Sequence, residues 1–129
     1  MHKLLLVTHS KDAATLIRAM LEPEGYELEV VDHGSTALRL LYTQPLDGVM
    51  LDIYNEEGLS GEDLVRVIRA DALLMHIPLI LLADVAPEGK RRLENAAIFI
   101  SRPFNEDNLV RTLRHIFPPK GASTFVSKG

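Results

Sequence analysis

The chain contains no cysteine, so disulfides, thiolate metal sites and cysteine nucleophiles are all excluded. A reducing compartment suits such a sequence. Long apolar runs are missing too. No stretch approaches the roughly 18 apolar residues of a membrane span. The run Leu4-Leu5-Leu6-Val7 behind Met1-His2-Lys3 is too short for a signal-peptide core and stops at Thr8. A cytoplasmic protein is therefore expected, with no membrane partner. There is no basic excess: 14 Lys and Arg against 18 Asp and Glu leave a formal charge of −4. A phosphate-backbone binder needs clustered cations, so nucleic acid is not expected as a direct partner. No internal repeat is visible. What is present is 129 residues, 47 % hydrophobic and 25 % charged, the make-up of one globular domain with its own core.

Five short apolar runs bounded by turn residues recur: Leu4 to Val7, Leu28 to Val31, Leu46 to Ile53, Ile77 to Leu82 and Ala97 to Ile100. The central ones are continuous rather than alternating, which marks strands covered on both faces, as in a parallel sheet. Helix-period segments lie between them. Ala13, Leu16, Ile17 and Met20 follow the i, i+3, i+4, i+7 rule, and Leu109, Leu113, Ile116 and Phe117 repeat it. Ser60-Gly61-Glu62-Asp63 is a capping-box pattern ahead of Leu64, Val65, Val67 and Ile68, and Gly34-Ser35 opens a helix holding Ala37, Leu38 and Leu41. The segment from Ala86 to Glu94 is the weakest helix and is expected to be short or irregular. The alternation predicts a doubly wound α/β domain, (βα)5, with a five-stranded parallel sheet in the order 2-1-3-4-5 over residues 1–118. Residues 119–129 have the composition of a tail or linker.

In an open α/β sheet the loops after the carboxyl ends of the strands converge on the functional crevice. The first strand ends in Thr8-His9-Ser10, the third in Asp52, the fourth in Ala83-Asp84 and the fifth in Ser101-Arg102-Pro103-Phe104. A carboxylate closing the apolar run Gly48-Val49-Met50-Leu51 is costly to desolvate without a positive partner, and Arg102 can supply one.

These landmarks, in this order, resemble the receiver domain of two-component response regulators, over about residues 3 to 117. The fold is then of the CheY-like, or flavodoxin-like, three-layer kind. The segment Asp47-Gly48-Val49-Met50-Leu51-Asp52-Ile53 is similar to the family's phosphoacceptor strand. The resemblance places Asp52 at the aspartate that receives a phosphoryl group from a histidine kinase. Gly61 matches the glycine that follows. Ile77-Pro78-Leu79-Ile80-Leu81-Leu82 resembles the fourth strand, and Phe99-Ile100-Ser101-Arg102-Pro103-Phe104 the family's aromatic, then Lys-Pro-Phe, signature.

Several family positions are altered. The paired acidic residues that hold a divalent cation correspond to Thr8 and His9. The switch Thr or Ser corresponds to Ala83, the signature lysine to Arg102, and the aromatic switch residue to Phe99, which plain packing explains equally well. The loop after Asp52, Tyr54-Asn55-Glu56-Glu57-Gly58-Leu59-Ser60, is one residue longer than usual, and about one helical turn is missing between Ala83 and Arg102. Magnesium prefers hard oxygen donors, so an imidazole and a hydroxyl replace carboxylates badly and Mg²⁺ binding is expected to be weak or absent. No other cofactor is expected. The resemblance, with these losses, implies a non-enzymatic pseudo-receiver. Its partners are proteins, a histidine kinase or a downstream signalling protein. Asp52 faces Arg102 as its counterion, and Ala83 and Phe99 form a vestigial switch pair.

Two other readings compete. A conventional phosphoacceptor receiver phosphorylated on Asp52 needs Glu56 or Glu57 to replace a lost ligand. A flavodoxin-like small-molecule binder would use Thr8, Ser10 and Thr15 around a phosphate, but Thr8 to Thr15 holds no glycine and Asp12 repels an anion. His9 is read as a solvated loop residue ahead of a proton donor or a ligand for a softer metal. His2, His33, His76 and His115 show no ligand spacing along the chain. Lys90-Arg91-Arg92 is read as a solvated helix face.

Overall fold

Leu4, Leu5 and Leu6 are all fully buried, although successive residues of a strand point to opposite sides. A strand of that kind must be covered on both faces. The computed structural model describes residues 2–52, 61–82, 97–100 and 106–118. Its strands β1 (His2–Val7), β2 (Tyr26–Val31), β3 (Gly48–Leu51), β4 (Leu79–Leu82) and β5 (Ile98–Ile100) form one sheet in the order β2-β1-β3-β4-β5. Every neighbouring pair is parallel. The sheet class and strand order expected from the apolar runs are both present.

Helices α1 (Lys11–Leu21) and α4 (Glu106–Ile116) cover one face of the sheet; α2 (Gly34–Thr43) and α3 (Gly61–Ala70) cover the other. Leu4, Leu6, Met50, Ile80 and Leu82 pack with Ile17, Leu21, Leu109 and Leu113. The intervening Leu5, Val49, Leu51, Leu79 and Leu81 pack with Ala37, Leu41, Leu64, Val65 and Ile68. Each such large side chain, once buried, contributes about 1.5–3 kcal/mol against the entropy of ordering the chain. The two cores explain why the strands read as unbroken apolar runs. The segment expected to form a weak helix, 86–94, and the tail 119–129 lie outside the described residues.

Several boundaries differ from the apolar runs, each for a local reason. β1 and β2 begin two residues earlier, because His2 and Lys3 pair with Tyr26 and Glu27 in the parallel ladder. β2 is an edge strand, so it carries Glu27, outside the expected run, as well as Glu29 within it. β3 starts at Gly48 rather than Leu46, the Asp47 carboxylate accepting the backbone N–H of Lys3 at 2.8 Å. β4 starts at Leu79, because Pro78 has no N–H to give and the Ile77 N–H turns back to the Leu74 carbonyl at 3.0 Å. In α1 the expected apolar face is rotated: Ile17 and Leu21 are buried, while Leu16 stays 50 % exposed. The sheet contact follows the i, i+4 line through Ile17, which leaves Leu16 on its flank.

Close packing fixes the end of the sheet opposite the candidate site. The Tyr26 hydroxyl donates to the Phe117 carbonyl at 3.0 Å, and a Cβ on Gly48 would stand 2.5 Å from Phe117 Cζ. Gly48→Ala is therefore expected to lower stability by about 1–3 kcal/mol through overpacking. Urea unfolding monitored by circular dichroism measures it, and an unchanged midpoint would show that Phe117 yields freely.

Candidate functional site

The carboxyl ends of β1 and β3 bring two polar residues out of the apolar core side by side. Pairing continues one residue past the strands: Thr8 N–H donates to the Val31 carbonyl and Asp52 N–H to the Val7 carbonyl, both at 2.9 Å. Thr8 and Asp52 are only 4 % and 6 % exposed, the two buried polar side chains among the described residues. A carboxylate so placed demands hydrogen-bond donors. The Thr8 hydroxyl supplies one, donating to Asp52 Oδ2 at 2.8 Å.

The direction of that bond is fixed by a second one. Thr8 Oγ1 accepts the backbone N–H of Ser10 at 3.0 Å, so its own proton is left for the carboxylate. The Ser10 hydroxyl in turn accepts the Ala13 N–H at 3.0 Å and caps α1. A chain of donors thus runs from the helix end to the acid and ties the corner together.

His9 follows Thr8 and lies against His33, their ring centroids 5.3 Å apart at an interplanar angle of 76°. Asp32 Oδ1 stands 3.9 Å from His33 Nε2. Thr8, His9, Ser10, Lys11 and Asp32 line an open cleft of about 320 Å³ at this end of β1 and β2. Sequence spacing gave no hint of the histidine pair, yet a signal exists. The β1–β2 ladder pairs His2 with Tyr26 through to Val7 with Val31, and the same offset carried two residues further sets His9 opposite His33.

Of the residues singled out in the sequence, the structure brings together Thr8, His9 and Asp52. Ala83, Glu56, Glu57 and Arg102 lie outside the described residues, and with them the expected Asp52–Arg102 pair. Phe99 sits in β5, its backbone opposite Leu81. Two of the three hydroxyls that a phosphate-binding corner would need are already engaged, Thr8 with Asp52 and Ser10 with the Ala13 amide. Among the described residues no three His, Asp or Glu side chains gather as a metal cage, and no helix is long and apolar enough to cross a membrane.

A family model for the response regulator receiver domain matches residues 4–114. The chain belongs to the response regulator receiver family. It is 30 % identical over 122 residues to the chemotaxis protein CheY of Pseudomonas aeruginosa, a match spanning 89 % of this chain and 95 % of that one. Among solved structures it is similar to the receiver domain of the sensor histidine kinase PA1611 from Pseudomonas aeruginosa PAO1, determined with magnesium in its active-site cleft. That likeness has a TM-score of 0.77 at 30 % identity, covering 88 % of this chain and 95 % of that one. Vibrio cholerae CheY4 superposes with a TM-score of 0.81 at 26 % identity, over 91 % and 99 % of the two chains. The receiver fold and a place in two-component signalling, where receivers interact with histidine kinases and other signalling proteins, follow from this membership.

Replacing Thr8 by valine keeps the side-chain shape but leaves Asp52 Oδ2 without this donor and the Ser10 N–H without an acceptor. Thr8→Val is expected to cost about 1–3 kcal/mol in urea unfolding, with Thr8→Ser retaining most of the stability. Equal loss in the two variants would mean that the methyl group, and not the hydroxyl, matters.

Proposed function

We propose that this receiver is degenerate at its phosphorylation site and works mainly by binding other proteins in a phosphorelay, without enzymatic activity of its own. The observation that carries this reading is the Thr8 hydroxyl seated against the buried Asp52 carboxylate, at 2.8 Å. Receivers of the resembled kind place acidic side chains at Thr8 and His9. Here the described donors are one hydroxyl, one imidazole and one carboxylate. That set does not fit Mg²⁺, a hard cation that binds through carboxylates and water and parts from its hydration shell reluctantly.

The charge count supports the same conclusion. A cluster of carboxylates requires a divalent cation to be stable, whereas a lone carboxylate is satisfied by neutral donors together with a single cation. Arg102 is the residue proposed for that second role, because the planar fork of a guanidinium is suited to a carboxylate. With Ala83 at the switch position there is no hydroxyl to bond a phosphoryl group. The partners fitting this reading are a histidine kinase or a downstream signalling protein in the cytoplasm, met by a surface held in one state or moved by another input.

Incubation with magnesium and a small phosphodonor, followed by intact-mass measurement, tests the reading. The expected result is no stoichiometric acyl phosphate on the native chain, matching an Asp52→Asn control. Full conversion that disappears in Asp52→Asn overturns it. In a magnesium titration followed by NMR, the double variant Thr8→Asp, His9→Asp is expected to gain magnesium binding, seen as amide shifts around residues 8 and 52.

A further inference from the structure

We infer that His9 and His33 form a binding site for a borderline-soft divalent cation such as Zn²⁺, placed at the mouth of the same cleft. The site stands apart from the reading of Asp52, since it uses neither that carboxylate nor a phosphoryl group. Its basis is a distance. With Zn–N bonds of about 2.0–2.1 Å and ring centres about 1.2 Å beyond the nitrogens, two imidazoles at a tetrahedral angle hold their centroids about 5.2–5.4 Å apart. The observed separation is 5.3 Å. The 76° tilt keeps the rings from lying face to face, where one ring would block the other's approach to a shared ion.

A second observation concerns the ring nitrogens. Among the described residues neither the His9 nor the His33 imidazole makes a hydrogen bond, and His33, the residue preceding α2, forms no side-chain cap with that helix. Neither imidazole is held in place by a structural duty. The His33 side chain is 52 % exposed, so an ion can enter with water completing its shell. Asp32 Oδ1, 3.9 Å from His33 Nε2, adds a nearby negative charge. Lys11, lining the same cleft, opposes it. Two imidazoles and water make a site of modest affinity, one that selects by donor type. Neutral imidazole suits Zn²⁺, Cu²⁺ and Ni²⁺ and is a poor ligand for Mg²⁺.

The parallel register makes the pair a product of the fold and not of chance side-chain placement. His9 and His33 are the second residues beyond β1 and β2, whose ladder holds the same offset along all six paired positions from His2 to Val7. The backbone bends at His9 and Asp32, but the Thr8 N–H still donates to the Val31 carbonyl at 2.9 Å, so both rings sit within two residues of the sheet, a firmer platform than a long loop.

Isothermal titration of the full chain with zinc chloride at about pH 7.5, where imidazole is neutral, tests the inference. One ion per chain is expected, with binding weakened at least about tenfold by His9→Ala or His33→Ala and unchanged by His115→Ala. Imidazole resonances of His9 and His33, followed by NMR, should shift together while magnesium leaves them in place. His33 is exposed and His9 half-buried, and unaltered circular dichroism shows that the variants fold. No heat below millimolar zinc, or binding indifferent to both substitutions, overturns the site and leaves the rings an ordinary edge-to-face contact. Magnesium and phosphodonor results bear on Asp52 alone, so either reading can fail without the other.

Discussion

A carboxylate buried at the end of a hydrophobic strand is the constraint around which this end of the molecule is organised. Asp52 cannot move outward, because its own N–H is committed to the Val7 carbonyl in the β1–β3 ladder. Its charge must be met where it stands. The chain meets part of it with Thr8, whose hydroxyl is oriented by the Ser10 amide, while the Ser10 side chain starts α1. Sheet, loop and helix are thus coupled through three hydrogen bonds. A change at any link is felt at the acid, which makes this corner sensitive to events at the N-terminus of α1 and at the ends of β1 and β3.

Much of this arrangement was legible in the sequence because burial on both faces writes itself as uninterrupted Leu, Ile, Val and Met. Leu4 to Val7 and Ile77 to Leu82 needed no other clue, whereas the order of the strands is a choice that the crossover rules permit without dictating it. The edge strand was less legible. Glu27 and Glu29 interrupt its hydropathy because solvent reaches its free side, and the same charges discourage pairing with another chain. The phase of α1 was misread by one residue for a related reason: Leu16 and Ile17 are equally apolar, and only the sheet decides which of them is covered. At the site, Asp52 was found because an acid ending an apolar run contradicts its surroundings. The His9–His33 pair was missed because its signal is the product of two facts, the loop position of each ring and the offset of 24 between β1 and β2, and only the ladder supplies the second.

The two ends of the sheet carry different burdens. Where the strands begin, side chains interlock: Gly48 has no room for a Cβ beside Phe117, and Tyr26 is pinned to the Phe117 carbonyl. Where they end, the contacts are polar and directional. A substitution at the first end changes stability through packing volume, and one at the second changes which groups are left without a partner. That separation lets the chemistry of a receiver corner drift while the fold persists. Thr8 and His9 belong to neither hydrophobic core.

Such drift has a direction set by charge. Removing one carboxylate from a metal-binding cluster weakens the ion and leaves the others repelling each other, so a partly altered corner is worse than either extreme. On the proposed reading a hydroxyl at position 8 resolves this, because Thr8 is a donor to Asp52 where an acid would repel it. Once the ion is no longer required, the adjacent position is released from carboxylate chemistry, and an imidazole can stand there without cost to the buried acid. On the proposed reading, the change at Thr8 and the freedom of His9 to face His33 have a single cause, the loss of the cation that the acids were there to hold.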